Sequence, residues 1–162
     1  MTDASRDRRT DRADRLIKAS PRTIYAALVD AAAVAVWLPP DGMKGQVLAF
    51  EPHAGGAFRM ALIYEAPDDT TQGKTSDQTD VVSGHFVALE PDRRVVQETA
   101  FQSDDPAFAG VMRITWALEP VPDGTRVSVT CENVPEGISK EDHDAGLRST
   151  LANLASFTEQ AA

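Results

Sequence analysis

Three histidines, His53, His85 and His143, are the side chains of this sequence best suited to acid–base chemistry near neutral pH. They lie far apart in the chain without the spacing typical of zinc ligands, so we expect no metal site. Glu98 and Glu132 lie on predicted strands, where either carboxylate could pair with His85 or His143. Such a pair, within hydrogen-bond reach of a bound substrate, would form a general acid–base system.

The sequence lacks the motifs of phosphate, redox and zinc-hydrolase chemistry. It contains no phosphate-binding glycine loop, no Cys-x-x-Cys pair and no His-Glu-x-x-His motif. Gly55 and Gly56 precede a predicted strand rather than a helix, so they indicate a turn and not a phosphate cradle. The single cysteine, Cys131, cannot form an internal disulfide and fits a buried strand position. We therefore assign no catalytic residue and expect no cofactor.

The net charge of the protein limits the classes of molecule that we expect it to bind. The 162 residues include 25 acidic and 16 basic side chains, which gives a formal net charge of −9. Nucleic acids and anionic membranes bind clustered positive charge, so neither is an expected partner. Residues 1–11 are polar, lack the apolar segment of a signal peptide and predict a disordered tail. Residues 12–162 then form a single domain, which we expect to be cytoplasmic because no apolar run is long enough to span a membrane.

The last third of the chain predicts the elements that organise the fold. Apolar and polar residues alternate over 112–118 and again over 127–131, which is typical of two half-buried strands joined by the turn at 122–124. Ser139 then provides a helix start, and the apolar period changes to that of a helix of about 22 residues. One stripe of this helix carries Leu147, Leu151, Leu154 and Thr158.

The preceding residues predict a sheet with two helices near its beginning. A first strand is expected at 15–19, followed by a helix capped by Ser20 and a second short helix over 31–38 that ends at two prolines. Further strands are expected over 46–51, 57–65, 80–90 and 94–101. The polar segment 66–78 predicts an exposed hairpin loop. This order predicts an α+β fold with helices at the ends of an antiparallel sheet.

Several phrases of the sequence, taken in order, resemble one known family. They are Leu16–Pro21, Ala27–Asp30, Trp37–Pro39, Glu51–Arg59, Gly84–Phe86, Leu89–Pro91, Ile114–Trp116, Gly124–Val127 and His143–Leu147. Together they cover roughly residues 12 to 160. They resemble the SRPBCC superfamily, which includes the START and birch-pollen-allergen-like proteins. Within it they are most similar to the homologues of the activator of heat-shock-protein-90 ATPase.

This resemblance implies a helix-grip fold, in which a curved antiparallel sheet of about six or seven strands wraps around the long C-terminal helix. A curved sheet and a straight helix diverge, so a cavity is expected between them, and such clefts are usual small-molecule sites. The residues expected to contact a ligand are Trp37, Met60, Tyr64, His85, Trp116, His143, Leu147, Leu151 and Leu154. His85 lies in this set only if its face of the sheet is concave, and His143 has the alternative of a hydrogen bond near the helix start.

Three functions follow from the resemblance. The first is binding of an unidentified hydrophobic small molecule, as a carrier, a sensor or a stress-related protein. The second is an enzyme similar to polyketide cyclases and dehydrases, and the third is a protein-interaction module of the cochaperone type. The candidate partners are accordingly a hydrophobic small molecule, a second copy of the chain and a chaperone.

Overall fold

A computed structural model describes residues 9–40, 42–64 and 79–161. Over these residues the chain forms seven strands and three α-helices. The strands are β1 (Asp11–Ile17), β2 (Met43–Phe50), β3 (Ala57–Tyr64), β4 (Thr79–Glu90), β5 (Arg94–Phe101), β6 (Met112–Val121) and β7 (Gly124–Glu132). The helices are α1 (Pro21–Leu28), α2 (Ala31–Trp37) and α3 (Lys140–Ala161), and a short 3₁₀ turn covers Pro106–Phe108. The predicted hairpin loop at 66–78 lies outside the described residues.

All seven strands belong to one antiparallel sheet in the order β1-β7-β6-β5-β4-β3-β2. The register shifts between Val47 and Ala49 on β2, and between Phe86 and Ala88 on β4. Bulges of this kind bend a strand and increase its twist, and here they help to curl the sheet into a half-barrel. The curled sheet and the long C-terminal helix confirm the predicted α+β helix-grip fold.

The helices begin where the sequence predicts caps. The Ser20 side chain accepts a hydrogen bond from the backbone N–H of Thr23 at the start of α1. The Ser139 side chain accepts one from the backbone N–H of Asp142 at the start of α3. These bonds satisfy backbone donors that have no partner within the helix. Strand β1, by contrast, begins at Asp11, four residues before the predicted start at Arg15.

The core fills the space between the concave face of the sheet and the helices. Leu151 and Leu154 of α3 are 1% and 0% exposed, and Phe86 and Met60 of the sheet are fully buried. Helix α3 packs chiefly on β1, α1 and α2, which places it toward one side of the half-barrel. The middle of the concave face is therefore covered largely by α1, α2 and the side chains of the sheet itself.

Candidate functional site

Cross-strand register shows which residues point into the half-barrel. Phe86, Gln97, Ile114, Cys131 and Asp11 are directly opposite one another across five adjacent strands. Side chains that are paired in this way lie on the same face of a sheet. All but Ile114 are buried, and Ile114 is partly buried, so this row belongs to the inner face.

A small cavity lies on the inner face, beneath the first two helices. It is lined by Leu28, Val34, Trp37, Leu38, Phe50, Phe58, Val95, Gln97 and Trp116. Its volume is about 20 Å³. That is room for about one water molecule, whereas ligand pockets usually measure about 300–1,000 Å³. The inner face thus has an apolar cavity, but one that the surrounding side chains nearly fill.

Two tryptophans form one wall of this cavity, and they are the only tryptophans in the sequence. Trp37 ends α2 and Trp116 lies on β6, and their ring centroids are 5.3 Å apart in an edge-to-face arrangement. The Trp37 indole N–H donates to the carbonyl of Ala27 at 2.9 Å, which fixes the orientation of its ring. Of the nine predicted contact residues, these two line the cavity.

Among the described residues of the cavity wall, Gln97 has the one polar side chain. It lies in the middle of β5 and is 8% exposed. Its side-chain amide is not among the fully enclosed atoms that lack a partner, and no described residue is hydrogen-bonded to it, so the amide keeps some accessible surface. An accessible amide in the wall of a cavity can take a water molecule or a ligand group as its hydrogen-bond partner. Sequence reasoning missed Gln97, although it interrupts the apolar positions Val95 and Phe101 on one face of a predicted strand.

The other predicted contact residues occupy three different environments. Leu147, Leu151 and Leu154 are buried in the core, and they are not among the residues that line this cavity, which lies beneath α1 and α2. Met60 is fully buried beside Gly45, where a Cβ atom on the glycine would lie 2.5 Å from the Met60 Cε. Tyr64 is partly buried at the end of β3, and burial and the charges of nearby acidic residues raise its pKa.

His85 lies on the convex face of the sheet, with its side chain 49% exposed. Its Nε2 is 3.5 Å from Oε1 of Glu98. The other carboxylate oxygen of Glu98, Oε2, accepts hydrogen bonds from Arg113. The sequence-based pairing of His85 with Glu98 is thus present in the structure, but it lies outside the half-barrel. Because of this position, His85 is removed from the set of interior contacts.

His143 joins the start of α3 to the start of β1. Its Nδ1 is 2.6 Å from a carboxylate oxygen of Asp11, whose side chain is fully buried. Arg9 donates to the other carboxylate oxygen at 2.7 Å and also to the carbonyl of Ile138. Burial alone would raise the pKa of Asp11, but the hydrogen bonds from Arg9 and His143 outweigh it and hold the pKa below its ordinary value. This is the alternative of a hydrogen bond near the helix start, and it ties two distant parts of the chain together.

Cys131 lies opposite Asp11 on the neighbouring strand and is 2% exposed. Burial, with a smaller contribution from the Asp11 charge, raises the pKa of its thiol to about 12. A thiol with this pKa stays protonated near neutral pH and is a poor nucleophile. The position agrees with a small buried core residue.

Helix α3 holds the segment that follows α2. The hydroxyl of Thr150 donates to the carbonyl of Leu38 at 3.0 Å, and the amide of Asn153 donates to the carbonyl of Pro39 at 2.9 Å. Leu38 itself lines the cavity. Two side-chain hydrogen bonds therefore fix one wall of the cavity to the long helix.

A larger concavity of about 320 Å³ lies on the surface between α1, α2 and the end of α3. Its walls include the exposed residues Arg22, Ala26 and Asp30 and the partly buried Phe157. Ligand sites usually bury most of the surface of the ligand, and this shallow groove cannot do so. Despite its smaller volume, the interior cavity is therefore the better candidate for small-molecule binding.

Within the described residues, no three His, Cys, Asp or Glu side chains are grouped so that they could hold a metal ion. Among the same residues, no helix is long and apolar enough to cross a membrane.

Solved structures with the same fold cover almost the whole chain. A protein from Chromobacterium violaceum is 31% identical with a TM-score of 0.81, over 93% of this chain and 96% of that chain. A protein from Rhodobacter sphaeroides is 22% identical with a TM-score of 0.76, over 94% and 93% of the two chains. The AHSA1 protein from Silicibacter pomeroyi is 18% identical with a TM-score of 0.76, over 95% and 100%. No curated protein matches the chain.

The family model described as "Activator of Hsp90 ATPase homolog 1-like protein" matches residues 18–159. That range runs from the end of β1 nearly to the end of α3 and includes every residue of the cavity wall. The chain therefore belongs to the Activator of Hsp90 ATPase homolog 1-like family.

Proposed function

We propose that this protein binds a hydrophobic small molecule on the inner face of its sheet, in the cavity around Trp37 and Trp116. The observation that carries the proposal is the composition of the cavity wall. Eight of the nine described residues that line it are aliphatic or aromatic, and the ninth, Gln97, presents a side-chain amide to the cavity. An apolar wall with one convergent polar group is the usual pattern of a small-molecule site.

The cavity must enlarge to accept such a molecule, because about 20 Å³ holds about one water molecule. The wall opposite the sheet comes from Leu28 of α1, Val34 and Trp37 of α2, and Leu38. Helix α2 has only seven residues and is followed by two prolines. A short helix has less packing to lose than a strand of the sheet, so we expect the cavity to widen by movement of α2, and the hydrogen bonds from Thr150 and Asn153 that hold its end must shift or break as it moves.

The inner face continues beyond the cavity as a partly buried apolar surface. Leu62, Val82, Phe101 and Ile114 point inward from β3, β4, β5 and β6, and each keeps some exposure. Gln97 and Ile114 are direct neighbours across β5 and β6. A bound molecule can therefore extend from the tryptophans along the inner face as far as Leu62, where the buried Asp80 lies directly opposite on β4.

The two other functions predicted from the resemblance gain less support from the geometry. The pair His85–Glu98 lies on the convex face, and the pair His143–Asp11 is outside the cavity wall. The exposed large apolar residues of the described chain are Val36, Leu48 and Val111, which lie on three separate segments. Single exposed apolar residues are normal on a protein surface and do not define a docking patch.

Native mass spectrometry of the protein purified from its own host tests the proposal. We expect a second species, heavier by the mass of one small molecule, that disappears under denaturing conditions. Val34→Phe should abolish it, since Val34 is 3% exposed in the cavity wall and the larger ring would occupy the site. Overpacking of this kind destabilises by about 1–3 kcal/mol, so a thermal melt must show that the variant is folded.

Val36→Phe is the matched control for that experiment. It makes the same change on the same helix, but Val36 is 65% exposed and lies outside the cavity wall. The control should retain the bound mass. Equal retention by both variants would show that the molecule binds elsewhere and would contradict the proposed site.

A further inference from the structure

Gln97 is positioned to select the chemical class of the bound molecule, an inference that rests on the proposed function. The side chain is more than nine-tenths buried, and it faces the cavity from the centre of the sheet. A glutamine amide offers two N–H donors and one carbonyl acceptor at the same position. The amide is not one of the fully enclosed atoms that lack a partner, so it keeps accessible surface with which to contact a ligand.

The other residues of the cavity wall restrict the charge of the ligand. None of the nine residues that line the cavity is acidic or basic. An ion placed there would lose its hydration without gaining a partner of opposite charge, which is strongly unfavourable. The part of the guest inside the cavity is therefore uncharged, even though the protein surface carries many charges.

The shape of the wall favours a flat guest. Four aromatic rings, those of Trp37, Phe50, Phe58 and Trp116, line the space, and the tryptophans meet edge to face. Edge-to-face and offset contacts between rings are more favourable than burial of the same area alone. A planar ring inserted among them can form such contacts on several sides.

We infer that the ligand is an uncharged aromatic molecule that carries a hydroxyl or carbonyl group, and that Gln97 recognises this group by a hydrogen bond. The class includes phenols and aromatic ketones, and it excludes molecules that would place a carboxylate at Gln97. The selectivity arises because a ligand without such a group leaves the Gln97 amide without a hydrogen bond, and its affinity is therefore lower.

The test uses three ring compounds of similar shape: p-cresol, toluene and 4-methylbenzoate. Their dissociation constants are measured at pH 7 from the two tryptophan indole signals in NMR titrations. For the natural sequence we expect p-cresol to bind more tightly than its hydrophobicity alone would give, with toluene as the reference. We expect the dissociation constant of 4-methylbenzoate to be at least about tenfold higher than that of p-cresol. A hydrogen bond worth about 1.4 kcal/mol corresponds to that factor.

Gln97→Met removes the hydrogen bond and preserves the length of the side chain. We expect the preference for p-cresol over toluene to fall about tenfold in this variant. Gln46→Met, on an exposed position of β2, is the matched control and should leave the preference unchanged. If Gln97→Met proves poorly folded in a thermal melt, Gln97→Leu provides the same comparison.

The outcomes separate the two proposals. If the compounds bind but the preference does not change in Gln97→Met, Gln97 pairs with a structural water only and the inference is wrong. The inference is also wrong if 4-methylbenzoate binds as tightly as p-cresol. If none of the three compounds perturbs the tryptophan signals at millimolar concentration while a host-derived mass is retained, the ligand class is wrong but the proposed function stands. If the host-derived mass is also missing, both proposals fail.

Discussion

Trp116→Ala is expected to destabilise the protein by about 3–5 kcal/mol, the range for removing a large buried aromatic side chain. Trp116 is 5% exposed, contacts Trp37 edge to face and lines the interior cavity. Trp116 already borders a void, so we expect the neighbouring side chains to relax little into the space that its removal leaves. In a chain of this size the loss corresponds to a decrease in Tm of very roughly 6–20 °C, at about 2–4 °C for each kcal/mol.

The same variant should regain stability when indole is added. Removing the tryptophan ring creates an apolar cavity of the right shape for indole, and dry engineered cavities of about 150 Å³ bind small aromatic molecules. A thermal melt with and without millimolar indole measures both effects. Leu48→Ala is the control, because Leu48 is 46% exposed and should show neither effect. A loss below about 1 kcal/mol for Trp116→Ala would mean that Trp116 is not packed as described.

Asp11→Asn is expected to lower the free energy of unfolding by about 2–3 kcal/mol at neutral pH, because it removes the charge that accepts hydrogen bonds from Arg9 and His143. The carboxylate is fully buried, and the two bonds measure 2.7 and 2.6 Å. Arg9 also donates to the carbonyl of Ile138, so the change affects the junction between β1 and α3. Chemical denaturation at several pH values provides the measurement.

The contribution of Asp11 to the stability of the fold should decrease in acid. The folded-state pKa of Asp11 lies below the ordinary value of 3.8, so the folded protein favours the charged form. Its contribution is present above that ordinary value and is lost as the pH falls below it through the folded-state pKa. The difference in stability between the natural protein and Asp11→Asn should therefore shrink as the pH falls into the acid range.

Asp14→Asn is the matched control on the same strand. Asp14 pairs with Arg126 at 3.1 Å, but both side chains are about half exposed, and such pairs contribute about 0–1 kcal/mol. The control should change stability by less than about 0.5 kcal/mol at any pH. Equal effects of the two substitutions would contradict a special role for the Asp11 cluster.

Much of the fold is predictable from local patterns. The two-residue period of β6 and β7 and the serine caps of α1 and α3 are present where the sequence indicates them. These signals are local, since they depend on neighbouring residues and on backbone geometry. The start of β1 at Asp11 is not apparent from the sequence because Asp11 is polar, and its burial depends on its neighbour Arg9 and on the distant His143.

The site was less predictable than the fold because it depends on contacts between distant residues. Alternation along a strand shows two faces, but it does not show which one is concave, so His85 was placed with the interior residues. The cavity lies under α2 because α3 packs to one side of the half-barrel, and no periodicity in α3 contains that information. Gln97 carries a local signal, a polar residue on an apolar strand face, but its place in the cavity wall is visible only in three dimensions.

The central claim is that the interior around Trp37, Trp116 and Gln97 accepts a hydrophobic guest. A two-dimensional ¹H–¹⁵N NMR titration of the natural protein with p-cresol tests it directly. The account predicts that both indole N–H signals and the Gln97 side-chain amide signals shift and saturate together. Shifts confined to the surface groove at Arg22, Ala26 and Phe157, with both indole signals unchanged, would contradict it.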